Sequence, residues 1–114
     1  MRLWSLYQQE KYGYKSISRT VEGIDVAIII YGMFDDRSCI IDTLFVEKAF
    51  RNQGIGKELE KEVIDKEHPL SLHCQVDLTA KNAELIMRQF YDDGYRVLSS
   101  TKEEANLYKI VKEE

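Results

Sequence analysis

The 114-residue chain holds one proline, Pro69, and six glycines, too few for a proline-rich spacer or a flexible low-complexity linker. Its two cysteines cannot build a disulfide framework. Cys39 and Cys74 both fall inside apolar strand patterns and lack the spacing of a metal site, so two buried thiols in a reducing compartment are expected, with no metal. A basic excess is also missing. Sixteen Lys and Arg face twenty Asp and Glu, a net charge of −4 that offers no cationic face for phosphates and excludes nucleic acid as the main partner. No stretch approaches the roughly 18 consecutive apolar residues needed to cross a bilayer. The start, MRLWSLYQQEK, has neither an apolar signal core nor a small-residue cleavage site, so a cytoplasmic protein with no membrane partner is expected.

What is present is an ordinary globular balance, 44% hydrophobic and 32% charged, which argues against disorder and for one domain over residues 1–114. Leu3–Tyr7 reads as a short strand and Tyr14–Thr20 alternates as a second, closed by a Val21-Glu22-Gly23 turn. Ile24–Tyr31 (IDVAIIIY) is nearly all apolar, the mark of a strand buried on both faces. After the polar turn 32–38, Cys39–Val46 completes an antiparallel meander. From Gly54 the period changes to that of a helix. Ile55, Leu59 and Val63 form its apolar stripe, with Lys57, Glu58, Glu60, Lys61 and Lys66 assigned to the solvent face. His68-Pro69 ends it, because proline disfavours helical geometry in the residue before it.

Residues 70–78 alternate strictly and predict a strand. A second helix is expected from about Lys81 to Asp93, with Ala83, Ile86, Met87, Phe90 and Tyr91 as its stripe and Gly94 as its left-handed terminator. Tyr95–Ser100 and Asn106–Val111 read as final strands. The order is β-β-β-β-α-β-α-β-β: an α+β (α/β) fold with a mixed, mostly antiparallel sheet of about seven strands and two main helices.

The strand-to-helix junction carries R-N-Q-G-I-G, residues 51–56. The first amides of a helix have no internal acceptor and sit at the positive end of its dipole, and a glycine-rich turn lets a ligand approach them. Arg51 adds a guanidinium able to take two phosphate oxygens. Gly56-Lys57 is followed by Glu58 rather than a hydroxyl, and position 59 is leucine rather than glycine, so neither the Walker nor the dinucleotide fingerprint is met. A diphosphate held without a metal fits better, and a simple tight turn is the alternative.

The run L-F-V-E-K-A-F-R-N-Q-G-I-G-K-E-L, residues 44–59, resembles the acetyl-CoA-binding motif of the GNAT superfamily of N-acetyltransferases. There an apolar strand leads into [RQ]-x-x-G-x-[GA] and a helix. The order of the remaining elements agrees over roughly residues 14–112. An asparagine near the next helix start and a Phe90-Tyr91…Gly94-Tyr95 ending match a second motif in part. The resemblance implies a GNAT-like fold that uses acetyl-CoA as cosubstrate. Amides from Asn52, Gln53, Gly54, Ile55, Gly56 and Lys57 would cradle the pyrophosphate beside Arg51, with Asn82 at the neighbouring helix start. Main-chain groups of Leu44, Phe45 and Val46 would pair with the pantetheine arm where the strands at 39–46 and 70–78 splay apart.

Acetyl transfer to an amine requires removal of the amine's proton. Asp42 and Asp77 are the candidate bases, the first matching an acidic position of polyamine-type relatives and the second a strand glutamate of relatives that acetylate protein N-termini. Tyr91 is the candidate acid for the leaving thiolate, with a packed core role as the alternative. It stands three residues before Gly94 and nine after Asn82, whereas the family's tyrosine stands four before and about seven after, the slot that Phe90 fills here. Asn82 is accordingly a cap ahead of the helix, or Tyr91 is core. His68 and His73 read as surface residues. Gln8–Gly13 is too short for the helices that usually wall the acceptor site. This predicts an open site for a protein side chain or N-terminus, or one completed by a second subunit as a homodimer. The expected function is transfer of acetyl to a primary amine by direct attack in a ternary complex. The alternative is a catalytically weak GNAT-like module acting through CoA binding or protein contact.

Overall fold

The computed structural model describes residues 13–34 and 36–111. Its elements are β1 Lys15–Val21, β2 Ile24–Met33, β3 Ser38–Val46, a 3-10 turn Lys48–Phe50, α1 Ile55–Glu67, β4 Ser71–Asp77, α2 Ala83–Asp92, β5 Arg96–Ser100 and β6 Glu104–Ile110. The strand expected at Leu3–Tyr7 lies outside the described residues. Among the described residues six strands form one sheet in the order β1-β2-β3-β4-β6-β5, with β3–β4 its one parallel pair. The last strand begins at Glu104, two residues earlier than its apolar pattern suggests, because Glu104 pairs with Asp77.

β2 is buried on both faces, as its unbroken apolar run requires: Ile28 and Ile29 point oppositely and are both at 0% exposure. The core lies between the sheet and the helices, built from Ala27, Ile29 and Tyr31 of β2, Leu59 and Val63 of α1, and Leu72, Cys74 and Val76 of β4. Cys39 and Cys74 are free and buried, and desolvation pushes both thiols up to about 12.

Two Tyr–Glu–Lys clusters tie α1 to the sheet, and the one around Glu60 corrects the expected solvent face of that helix. Glu60 is 6% exposed. Its carboxylate accepts from the Tyr95 hydroxyl at 3.1 Å and the Lys109 ammonium at 2.7 Å, and Lys109 also reaches Asp93 at 3.4 Å. Burial raises the Glu60 carboxyl above its usual range even with that ammonium beside it. Further along, Glu67 accepts from the Tyr31 hydroxyl at 2.7 Å and from Lys15 at 3.2 Å. Glu60, Val63 and Glu67 follow i, i+3, i+7, so both carboxylates ride on the helix's inward side.

α2 ends in a Schellman arrangement. The Gly94 amide bonds to Tyr91 O and the Tyr95 amide to Phe90 O, each at 3.0 Å, with Gly94 at φ +98°. The accompanying apolar contact is an edge-on Phe90–Tyr95 pair with ring centroids 5.0 Å apart. Packing Phe90 inward turns Tyr91 outward, since neighbouring helical residues diverge by about 100°.

Candidate active site

Where β3 hands over to α1, the chain turns through two left-handed residues, Asn52 at φ 63° and Gly54 at φ 82°. Asparagine and glycine are the types that tolerate this region. Gly54 then serves as N-cap, and no side chain caps the helix. The first intrahelical bond runs from the Glu58 amide to Gly54 O at 3.0 Å, so the Ile55, Gly56 and Lys57 amides precede it at the positive helix end. A left-handed residue followed by a right-handed one makes an anion-accepting concavity of successive amides.

This turn forms one wall of a cleft of about 460 Å³. Leu44, Phe45, Val46, Arg51, Asn52, Gly54, Ile55, Gly56 and Asn82 all line it, together with Phe50, Leu85, Ile86, Gln89 and Phe90. Lys57 lines an adjoining hollow with Gly56, Leu44 and Glu60. Gln53 borders neither. The Arg51 guanidinium folds back so that Nε donates to Val46 O at 2.8 Å. Asn82 is the residue before α2, makes no side-chain cap bond, and faces the cleft from the opposite wall. Of the alternatives the sequence left, the cap position is the one observed.

β3 and β4 pair over three rungs only, Ser38–Ser71, Cys39–Leu72 and Ile40–His73, and then diverge. The cause is visible in the β2–β3 register. Ile30 faces Thr43 and Tyr31 faces Ile41, so Asp42 is an extra residue on β3, and a bulge of this kind bends its strand. β3 thereby becomes a shared wall. Its residues 44–46 line the cleft on the helix side, and Ile40, Ile41 and Asp42 line an open trough of about 910 Å³ that also holds His73, Gln75 and Asn106.

The three candidate catalytic residues separate. Asp42 is exposed in the trough and accepts from the Thr43 hydroxyl at 3.2 Å. Asp77, at the end of β4, is engaged in a turn: its Oδ1 accepts from the Thr79 amide at 2.9 Å and the Thr79 hydroxyl at 2.6 Å. Those bonds hold its carboxyl below the usual range, which weakens it as a base. Tyr91 lines neither the cleft nor the trough. It is 59% exposed with the Arg96 guanidinium stacked 4.0 Å from its ring centre, so it is not a packed core residue. Phe90 occupies the cleft instead. His73, read from the sequence as a surface residue, is half-buried in the trough, and no local pattern signals this because it depends on where β3 and β4 part.

Among solved structures, the fold resembles PaiA N-acetyltransferase from Thermoplasma acidophilum in complex with coenzyme A (13% identity, TM-score 0.73, covering 91% of this chain and 65% of that one). A GNAT-family protein from Desulfovibrio desulfuricans aligns at 13% identity and TM-score 0.80 over 95% of this chain and 76% of that one. Ard1 from Thermoplasma volcanium aligns at 20% identity and TM-score 0.72 over 97% and 78%. The chain thus spans about two thirds to three quarters of these proteins, and at such identities the likeness establishes the fold. No curated protein matches the sequence. The model of the acetyltransferase (GNAT) domain family matches residues 5–110, nearly the whole sequence, and with the splayed sheet and the uncapped helix start beside it, the chain belongs to the GNAT acetyltransferase family.

Proposed function

We propose that this domain moves an acetyl group from acetyl-CoA to a primary amine by direct attack in a ternary complex. The observation that carries the reading is the coincidence of two features on β3: pairing with β4 that stops after three rungs, and an uncapped helix start immediately beyond the strand. The chain's own groups fit the cosubstrate. The amides of Ile55, Gly56 and Lys57 take the pyrophosphate, Arg51 adds charge beside them, and the main chain of Leu44–Val46 offers the strand edge that β4 leaves open to the amide-bearing arm. A cleft of about 460 Å³ is within the ordinary range for a small-molecule site.

The acceptor enters from the trough. Asp42 on the bulge places a carboxylate where a cationic amine arrives, and the open sheet face suits a protein side chain or N-terminus better than a small enclosed substrate. Thermal stabilisation by acetyl-CoA together with free-thiol release in the presence of amines tests the proposal. A protein that acetyl-CoA does not stabilise would refute it.

One observation favours a weaker catalyst: among the described residues lining the cleft there is no phenol, because Phe90 stands where a proton donor would. Tyr91→Phe is therefore expected to leave turnover within about twofold of the parent, against the 10²- to 10⁴-fold typical of a lost acid or base. A hundredfold fall in kcat for that variant, with the CoA-induced Tm shift intact, would return Tyr91 to the site.

A further inference from the structure

Three ionisable side chains of the trough could take a proton from the acceptor: Asp36, Asp42 and His73. Asp36 is committed to a turn, its Oδ1 accepting from the Ser38 amide at 2.9 Å, and that bonding holds its carboxyl low. Cys74 also lines the space, but its desolvated thiol is no base. Gln75 and Asn106 are bonded to each other at 3.2 Å, and Asn106 reaches Ser99 at 3.0 Å, so these amides form a fixed floor.

His73 stands apart. It occupies the last rung before β3 and β4 diverge, opposite Ile40, and so lies at the apex of the splay. Its Nε2 is 2.9 Å from Ser71 Oγ, and the Ser71 hydroxyl donates to Ser38 Oγ at 3.4 Å. In the tautomer that carries its hydrogen on Nε2, Ser71 Oγ accepts that hydrogen and Nδ1 keeps its lone pair.

We propose, building on the acetyltransfer reading, that His73 is the base of this site, oriented by Ser71 and Ser38, while Asp42 attracts and holds the ammonium. The steps balance. Nδ1 takes one proton from the ammonium, and the freed nitrogen pair forms the C–N bond to the thioester carbon. The C–S bond breaks with its pair on sulfur, the second nitrogen proton ends on that thiolate, and the imidazolium returns its proton to solvent. The groups facing His73 are Asp36 from the turn before β3, Asp42 and Ser38 of β3, Tyr108 of β6 as its cross-strand partner, and Ser71 and Gln75 on its own strand. A general base acts only in its unprotonated form, so activity rises with pH.

The test compares kcat/KM against pH for the parent, His73→Gln and Ser71→Ala, using spermidine, N-acetyl-lysine amide and a peptide with a free N-terminus. His73→Gln should lose roughly 10²- to 10⁴-fold and the limb that rises with pH. Its acetyl-CoA KM and the CoA-induced Tm shift should be unchanged, which also shows that it folds. Ser71→Ala, which leaves the imidazole in place but unoriented, should lower kcat less than His73→Gln does and keep the rising limb. A His73→Gln enzyme that keeps both rate and limb overturns the assignment while leaving acetyltransfer standing. A parent that binds acetyl-CoA yet acetylates none of the three amines overturns both.

Discussion

Gly56→Glu is expected to lose all stabilisation by acetyl-CoA while the unliganded protein still folds. Gly56 is the second residue of α1 and faces both the cleft and the adjoining hollow. Its backbone is helical, and a Cβ there would meet only Leu44 Cδ2 at 3.7 Å, an ordinary contact. A side chain is therefore tolerated by the fold. Replacing glycine inside a helix gains up to about 1 kcal/mol for alanine and somewhat less for glutamate, and a carboxylate in the first turn complements the helix dipole. The same carboxylate would occupy the place proposed for the pyrophosphate and take up the amides at the helix start.

The two effects thus have opposite signs. For the parent, ligand at about 100 times Kd adds about 2.7 kcal/mol, a Tm rise of roughly 10 to 20 °C for a domain near 100 residues. Differential scanning fluorimetry with and without acetyl-CoA should show that rise vanish in Gly56→Glu and shrink in Gly56→Ala, each from an unliganded Tm at or above the parent's. Retention of the full shift by Gly56→Glu would mean that the diphosphate binds elsewhere, or not at all.

Lys109→Met is expected to cost several kcal/mol of stability, about 3 or more, because it breaks a buried pair from one side. It removes the ammonium 2.7 Å from Glu60 and leaves a carboxylate that is 6% exposed between the Tyr95 hydroxyl and the like-charged Asp93. Breaking a buried pair from one side costs about 3–5 kcal/mol. The Lys109 side chain keeps 22% of its exposure, so water screens the pair somewhat and the lower end, about 3 kcal/mol, is expected. That is a fall in Tm of more than roughly 10 °C.

The pH dependence has a definite sign. Burial already raises the folded-state pKa of Glu60, and losing Lys109 raises it further. A carboxyl whose folded pKa exceeds its unfolded one contributes stability below the ordinary glutamate range and loses it as pH rises through the folded value. The deficit of Lys109→Met should therefore be small in acid, grow through that window and level off above it. Adding Glu60→Leu to Lys109→Met should recover part of the loss, because it removes the orphaned charge but takes the acceptor from the buried Tyr95 hydroxyl. Equal Tm values for parent and single variant at neutral pH would show that the cluster does not bear on folding.

Glu60 also marks how far local pattern reaches. On the sequence it is one more charge on a helix already dense with them. Its neighbours Leu59 and Val63 define an apolar stripe, and whether the residue beside that stripe is wet or dry depends on what the sheet presents opposite. Here Tyr95 and Lys109 arrive from after α2 and from β6, some 35 and 49 positions away, and offer a hydroxyl and an ammonium at the right height. Glu67 is claimed likewise by Tyr31 and Lys15. Periodicity within one helix contains no trace of these partners.

Element type, element order and the place of the left-handed turn before α1 were legible from the residues alone, because each is set over a few positions. Alternation and the 3.6-residue period select strand or helix, and a left-handed bend needs glycine or asparagine. Tertiary structure decided the rest. It put Asp42 on a bulge, parted β3 from β4 after Ile40, drew Glu60 inside, turned Tyr91 out and brought His73 to the splay. Each of these depends on which distant strand lies alongside and where its hydrogen bonding stops, a balance struck between segments far apart in the chain.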